Sequence, residues 1–163
     1  MQDLNELREH LLNDCSYIDG KLFWKKTKQG HREGKEIGRV SHRGYRHVNY
    51  KGKTLFVHRL IFLFHHGYLP PVLDHIDGDP LNNKIENLRK VTRSQNNMNS
   101  KVARKSKTGY KGISWVEKDK RYVCAIQASG GKRFSKTCKT IDEAIVLIRE
   151  LRIKYHGEFA RHE

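Results

Sequence analysis

The 25-residue stretch 73–97, LDHIDGDPLNNKIENLRKVTRSQNN, constrains the fold of this chain more than any other segment. Gly78 and Pro80 favour a tight loop after a strand-like start. Residues 88–91 have the character of a second strand, and a capped short helix that includes Asn96 follows. The order of residues therefore predicts a strand, a loop, a strand and a helix. We expect the polar side chains of these elements to lie close together.

The polar residues of this stretch suit phosphodiester hydrolysis. That reaction needs a base to take a proton from water, a hard cation and a group that orients the base. His75 is the natural base because the ordinary pKa of imidazole lies near neutrality. Asp74 and Asn96 offer oxygen ligands of the kind that suit Mg²⁺, and Asn87 is placed to fix the loop and the imidazole by hydrogen bonds. Two arginines are candidates to clamp a phosphate: Arg89 and Arg93.

A plainer interpretation of the same residues is that they only shape a loop. Asp74, Asp77 and Asp79 would then cap turns, and the asparagines would occupy left-handed loop positions. Each residue taken alone favours this alternative, whereas the ordered set favours catalysis. We interpret Asp77 and Asp79 as loop-shaping residues, and His58 as a helix-start residue hydrogen-bonded to the backbone.

The charge of the chain points to a polyanionic partner. Its formal net charge is +15, with 33 Lys and Arg against 18 Asp and Glu. Residues 58–100 are nearly balanced, with 5 basic and 4 acidic residues, whereas residues 1–57 carry 12 and 7 and residues 101–163 carry 16 and 7. Basic surfaces bind nucleic acid by releasing counterions from its phosphates. The distribution favours a central chemical site held between two phosphate-binding flanks.

Cysteine usage and hydropathy exclude several classes of protein. The 3 cysteines are far apart and form no C-x-x-C pair, so we expect neither a structural zinc site nor a disulfide framework. The N-terminal residues MQDLNELREH lack an apolar signal region, and no apolar run reaches membrane-spanning length. We therefore expect a cytoplasmic protein with no membrane partner.

Outside the central stretch, the pattern predicts helices and antiparallel strands. A short helix is expected over 4–11, a hairpin over 44–57 and a second helix over 58–67. Three strand-like runs, YKGISWV, RYVCAIQA and KRFSKTC, precede a long helical pattern. Thr140 and Glu143 have the spacing of a capping box at the start of that helix.

The segment DHIDGDPLNNKIENLRKVTRSQNNMN, with VHRLIFLF upstream, resembles the HNH endonuclease motif of phage and intron-encoded homing endonucleases. The resemblance implies that His75 is the general base, that Asp74 and Asn96 bind the metal and that Asn87 is the middle, structural residue. The third motif position holds Asn96 rather than histidine, which favours Mg²⁺ or Mn²⁺ over zinc. The family implies products with a 5′ phosphate and a 3′ hydroxyl.

The segment TGYKGISWVEKDKRYVCAIQASGGKRFSKTCKTIDEAI resembles the plant ethylene-response-factor (APETALA-type) DNA-binding domain. Such domains lay a sheet into the major groove. Ser114 stands where that family often has a base-reading arginine, so sequence preference does not carry over. The candidate DNA contacts in this region are Lys111, Gln127, Arg133 and Lys136. A basic linker before it supplies further candidates for the DNA backbone: Lys101, Arg104, Lys105 and Lys107.

Together these observations predict an α+β protein with a central ββα-metal fold, an N-terminal hairpin and a C-terminal three-stranded sheet packed on one helix. The expected segments are a DNA-positioning part (1–57), the HNH core (58–100), a basic linker (101–107) and the DNA-binding module (108–163).

The predicted function is that of a homing-type endonuclease that cuts double-stranded DNA. It would depend on Mg²⁺, with Mn²⁺ able to substitute, and act as a monomer or homodimer in the cytoplasm of a phage-infected bacterium. Three alternatives remain open at this point: a catalytically silent DNA-binding regulator, an RNA-directed nuclease, and a nuclease of phage DNA packaging or processing.

Overall fold

The computed structural model describes residues 4–25, 33–100, 106–128 and 130–161. The chain divides into two compact units, Met1–Lys90 and Val91–Glu163. No helix among the described residues is long and apolar enough to cross a membrane.

The first unit combines helices with small antiparallel sheets. Its helices are α1 (Leu4–Asp14) and α2 (Val57–His66). Its strands are β1 (Cys15–Ile18), β2 (Lys21–Trp24), β3 (Arg39–Val40), β4 (Arg46–Tyr50), β5 (Lys53–Phe56), β6 (Leu73–His75) and β7 (Leu88–Lys90). β1 pairs with β2, β4 lies between β3 and β5, and β6 pairs with β7, all antiparallel.

The apolar face of α2 organises the core of this unit. The helix VHRLIFLFHH follows directly from β5 and ends at Gly67, whose φ of 75° is the left-handed conformation that glycine adopts readily. The side chains that share its core are Leu7, Leu11, Cys15, Leu22, Ile37, Val57, Leu60, Ile61, Phe62, Leu63 and Leu88. Because Leu88 belongs to β7, this core also anchors the strand pair that carries the central polar stretch.

The second unit holds α3 (Arg93–Met98), β8 (Ile113–Val116), β9 (Arg121–Gln127), β10 (Arg133–Cys138) and α4 (Ile141–His156). The three strands form an antiparallel sheet in the order β10-β9-β8. Apolar side chains of the sheet and of α4 share one core: Ile113, Cys124, Ile126, Cys138, Ala144 and Ile148. Thr140 and Glu143 form the predicted capping box at the start of α4.

Most of the predicted elements are confirmed in this structure. The hairpin, the helix after it, the three C-terminal strands and the last helix all form. β1 and β3 were not predicted. Short 3₁₀ turns also occur at Ile85–Asn87 and Gly157–Phe159. Of the predicted basic linker, Lys101, Arg104 and Lys105 lie outside the described residues.

Candidate active site

The central polar stretch is built on the β6–β7 pair. The register places Asp74 opposite Arg89 and His75 opposite Leu88. The next backbone bond, from the amide of Ile76 to the carbonyl of Asn87 at 2.9 Å, extends the pairing into the loop. Asp74 and His75 are both buried, with 7% and 6% of their surface exposed. Their polar atoms are thus held by protein groups, at the point where the strand turns into the loop.

Asp74 is held by the guanidinium of Arg89. Both Nε and Nη2 of Arg89 lie 3.1 Å from Oδ2 of Asp74. The side chain of Arg89 is 15% exposed and that of Asp74 is 8% exposed, so the pair is little screened by water. The cross-strand register brings these residues together, and the charge pair fixes the direction of the carboxylate.

His75 is oriented by Asn83. Nε2 of the imidazole lies 2.9 Å from Oδ1 of Asn83, which is 3% exposed. An amide oxygen only accepts hydrogen bonds, so this partner places the ring proton on Nε2. Nδ1 then carries the lone pair. In a neutral imidazole, a lone pair on Nδ1 is what a general base needs before it takes a proton from water.

A cluster of rings lies against the imidazole of His75. His58 is 5.1 Å away between ring centroids, in an edge-to-face arrangement, and Tyr45 is 6.1 Å away. Phe56 stacks on His58 at 5.6 Å. Burial lowers the pKa of His58 to about 3, and the neighbouring His75 and Arg59 act in the same direction. His58 is therefore a neutral ring at physiological pH.

The structure corrects the expectation that His58 is hydrogen-bonded to the backbone. Within the part of the chain that the structure describes, its imidazole makes ring contacts and no side-chain hydrogen bond is found. The physical reason is its surroundings, since the rings of Tyr45, just before β4, and Phe56, at the end of β5, pack against it.

Asn87 closes the loop between the two strands. Its Nδ2 donates to Oδ1 of Asp77 at 2.9 Å and to the carbonyl of Asn82 at 2.7 Å. Its Oδ1 accepts from the backbone amide of Asp77 at 3.1 Å. Asp77 also accepts from the amide of Asp79 and from Nδ2 of Asn82. Asn87 and Asp77 thus hold the loop in a fixed path around His75.

These hydrogen bonds act on the carboxyl of Asp77. Partial burial works to raise its pKa, but the bonds from the Asp79 amide, Asn87 and Asn82 outweigh that effect and lower the pKa. Asp77 therefore stays ionised and keeps accepting hydrogen bonds over the physiological range.

The β1–β2 hairpin supports the other side of the loop. The hydroxyl of Tyr17 accepts a hydrogen bond from the amide of Ile85 at 3.1 Å. Gly20, with φ of 81°, packs so closely that a Cβ there would lie 2.8 Å from the backbone nitrogen of Lys84 and 3.1 Å from the carbonyl carbon of Asn83. The hairpin therefore limits where Asn83, and through it His75, can lie.

Asn96, the predicted second metal ligand, lies on α3 in the second unit. Thr92 caps this helix through its side chain, and Gln95 completes a capping box. Among the described residues, no group of three or more His, Cys, Asp and Glu could hold a metal ion. Carboxylate and amide oxygen atoms, such as those of Asp74 and Asn96, are ligands that suit Mg²⁺ better than structural zinc.

The predicted DNA contacts have several different environments. Arg93, Lys107, Gln127, Arg133 and Lys136 are exposed. Lys111 is half-buried, and its Nζ donates to the carbonyls of Asn97, Met98 and Ser100 at 2.7–2.9 Å, at the end of α3. Burial lowers the pKa of Lys111 to about 8, helped by Arg152 and Arg161, so the ammonium is still charged at neutral pH. The hydrogen bonds of this ammonium therefore go to protein carbonyls.

Sequence reasoning missed the contribution of Asn83. It stands in the pair Asn82–Asn83, and nothing in the pattern distinguishes which of the two turns inward. The role of His58 was also missed, although the proximity of the VHR segment to the central stretch was a usable signal. The contact of Asn83 with His75 depends on the path of the loop, and the contact of His58 with His75 depends on the packing of α2.

Part of the chain that includes these residues is similar to known proteins. Residues 55–98 match the family model described as HNH endonuclease. Protein 3.8 of Escherichia phage T7 is 34% identical over 89 residues, which cover 55% of this chain and 73% of that protein. No solved structure gives a significant match. The matched segment contains Asp74, His75, Asn83, Asn87 and Asn96.

Proposed function

The chain belongs to the HNH endonuclease family, and from that membership we propose that it is a metal-dependent endonuclease that hydrolyses phosphodiester bonds in DNA. The observation that carries the proposal is the buried imidazole of His75, held through Nε2 by Asn83 inside the segment that matches the family. This hydrogen bond fixes the orientation of the ring within that segment.

In the proposed mechanism, Nδ1 of His75 takes a proton from water as the water oxygen attacks the phosphorus atom. Asn83 keeps its hydrogen bond to Nε2 and so stabilises the imidazolium that forms. The bond from phosphorus to the 3′ oxygen breaks, and this oxygen takes a proton from solvent water, which leaves a 5′ phosphate and a 3′ hydroxyl. Arg89 holds the carboxylate of Asp74, and Asn87 keeps the loop closed during the reaction.

The metal requirement is part of the proposal. Asp74 and Asn96 would hold the ion, and Mg²⁺ or Mn²⁺ suits their oxygen atoms. When bound, such an ion supplies positive charge to the scissile phosphate and to the leaving oxygen. The ββα-metal fold that the family resemblance implies is the corresponding structural proposal.

We further propose that the C-terminal unit binds DNA. Its three-stranded sheet and single long helix suit the resemblance to the ethylene-response-factor domain. Arg133 and Lys136 lie exposed on β10, and Gln127 is exposed at the end of β9. Such a module would hold the nuclease at preferred sites, as in a homing endonuclease acting in a phage-infected cell.

Cleavage of supercoiled plasmid tests the proposal. Wild-type protein should relax or linearise the plasmid with Mg²⁺ or Mn²⁺ and leave it intact with EDTA. His75→Ala should lower the rate by about 10²- to 10⁴-fold, the usual contribution of a general base. His66→Ala, at an exposed histidine at the end of α2, is the matched control and should cut normally.

The same assay separates the alternatives. Binding of DNA without cleavage of plasmid or of a broad target library in any divalent metal would identify a DNA-binding regulator. Cleavage of RNA but not of DNA would identify a different substrate. The ratio of open circle to linear product reports whether one strand or both are cut.

A further inference from the structure

Two exposed aromatic side chains, Tyr45 and Phe56, belong to the ring cluster that also contains His58 and His75. Tyr45 is 36% exposed and Phe56 is 41% exposed, and their ring centroids are 5.8 Å apart. Both rings also contact His58, which in turn lies against His75. An aromatic surface thus runs from the buried imidazole to solvent.

The strands explain this placement. Phe56 is the last residue of β5, and Tyr45 directly precedes β4, its antiparallel neighbour. The turn before Tyr45 packs against the site loop, since a Cβ on Gly44 would lie 3.4 Å from Cγ of Pro80. The two rings are therefore fixed relative to His75 by a strand pair and by the loop itself.

The sheet that carries these rings is strongly basic. Residues 39–56 contain five Lys and Arg and no Asp or Glu, and two of the five, Arg46 and Lys51, pair with Glu36 and Glu6 outside the sheet. Arg39, Arg43 and Lys53 are exposed. Exposed rings within a basic surface suit nucleic acid, whose phosphates attract the cations and whose bases stack on aromatic faces. The charge pattern argues against an apolar protein partner at this surface.

We propose that Tyr45 and Phe56 form a stacking platform for a nucleobase displaced from its helical stack at the cleaved step. The protein consequently prefers duplex DNA with a locally disrupted base step, such as a mismatch. Displacing a base from an intact duplex costs free energy, and a mismatched step has already lost part of that stability. The inference rests on the proposed function, because it assigns the DNA that enters that same site.

Equilibrium binding tests the platform without any need for cleavage. Fluorescence anisotropy compares two labelled DNA duplexes of one sequence, intact or with a single central mismatch, in EDTA. Wild-type protein should bind the mismatched duplex about tenfold more tightly, a typical effect of stacking one base on an aromatic ring. The double variant Tyr45→Leu, Phe56→Leu should bind both duplexes within about twofold of each other, because leucine keeps the apolar contact and lacks the flat face.

Tyr68→Leu is the matched control. Tyr68 is 47% exposed and contacts Phe62 and His66 near the end of α2, so its loss should leave the mismatch preference unchanged. Thermal melting of every variant verifies the fold.

Equal binding of both duplexes by the wild type, or a preference that survives in the double variant, shows that the platform proposal is wrong. A mismatch preference that depends on Tyr45 and Phe56, in a protein that cuts no nucleic acid, supports the platform and rejects the nuclease.

Discussion

Nε2 of His75 lies 2.9 Å from Oδ1 of Asn83, and both side chains are buried. The partner of the proposed general base is therefore an uncharged amide from the site loop. An amide orients the ring and selects its tautomer, but it adds no negative charge that would raise the basicity of the imidazole.

Substitutions at Asn83 test this relationship. Asn83→Ala removes the hydrogen bond and should lower kcat by about 10- to 100-fold, part of the contribution of a positioned base. Asn83→Asp keeps an acceptor and adds a negative charge that favours imidazolium, so it should move the acid limb of the pH–rate profile to higher pH. A wild-type rate and profile in both variants would show that Asn83 has no orienting role.

His58 should make the stability of the protein depend on pH. Its pKa is about 3 in the folded state against an ordinary value of 6.5. Below pH 6.5 the unfolded chain takes up a proton that the folded protein does not, so the free energy of unfolding falls as the pH decreases toward 3. Between about pH 7.5 and pH 5, this one residue should cost about 2 kcal/mol.

Denaturant unfolding of wild type and His58→Phe at the two pH values measures that contribution. Phenylalanine keeps a ring beside His75 and cannot be protonated, so the variant should lose about 2 kcal/mol less than the wild type on acidification. Equal losses in the two proteins would contradict a buried, neutral His58.

Gly20→Ala should disturb the loop that positions Asn83, although Gly20 lies outside that loop. The new methyl group would meet the backbone at Lys84 at 2.8 Å, in a residue already at positive φ. We expect a loss of about 2 kcal/mol in stability from backbone strain and a lower kcat, because Asn83 must shift.

Gly34→Ala is the matched comparison for that substitution. Gly34 has φ of 71°, and a Cβ added there would meet nothing within 4 Å, so its variant should show the strain alone and a normal kcat. If the two variants reduce kcat equally, close packing at Gly20 does not control the loop.

Lys111 should support the fold and not bind DNA. Its ammonium donates to three carbonyls at the end of α3, so Lys111→Met should lower the free energy of unfolding by about 2 kcal/mol. The slope of log affinity for DNA against log salt concentration should not change. Lys136→Met, at an exposed position on β10, should reduce that slope by about one and leave stability unchanged. The opposite result would assign the DNA contact to Lys111.

Local signals in the sequence were sufficient to predict most of the helices and strands. The Thr140–Glu143 spacing predicted the start of α4, and Gly67 predicted the end of α2, because caps depend on residues within one turn. The order of the polar stretch predicted one strand–loop–strand unit that carries His75 and Asn87, and β6 and β7 form that unit.

The sequence did not show which side chains from different segments pair with each other. Arg89 was expected to clamp a phosphate, yet its guanidinium holds Asp74, because the β6–β7 register places the two residues opposite each other. Lys111 was expected on a DNA-facing strand, but its ammonium reaches the end of α3, which only the packing of the second unit determines. Sequence order predicts residue types at a site far better than it predicts which of them pair.

The clamp between Asp77 and Asn87 joins residues only ten positions apart. A closure this short costs little chain entropy, so the loop can form on the timescale of local events and before distant segments meet. A chain that opens transiently at this loop can accordingly recover its arrangement around His75 without unfolding the core that Leu88 shares with α2. Rapid local reclosure would let the site admit and release a bulky polymer while the rest of the unit stays folded.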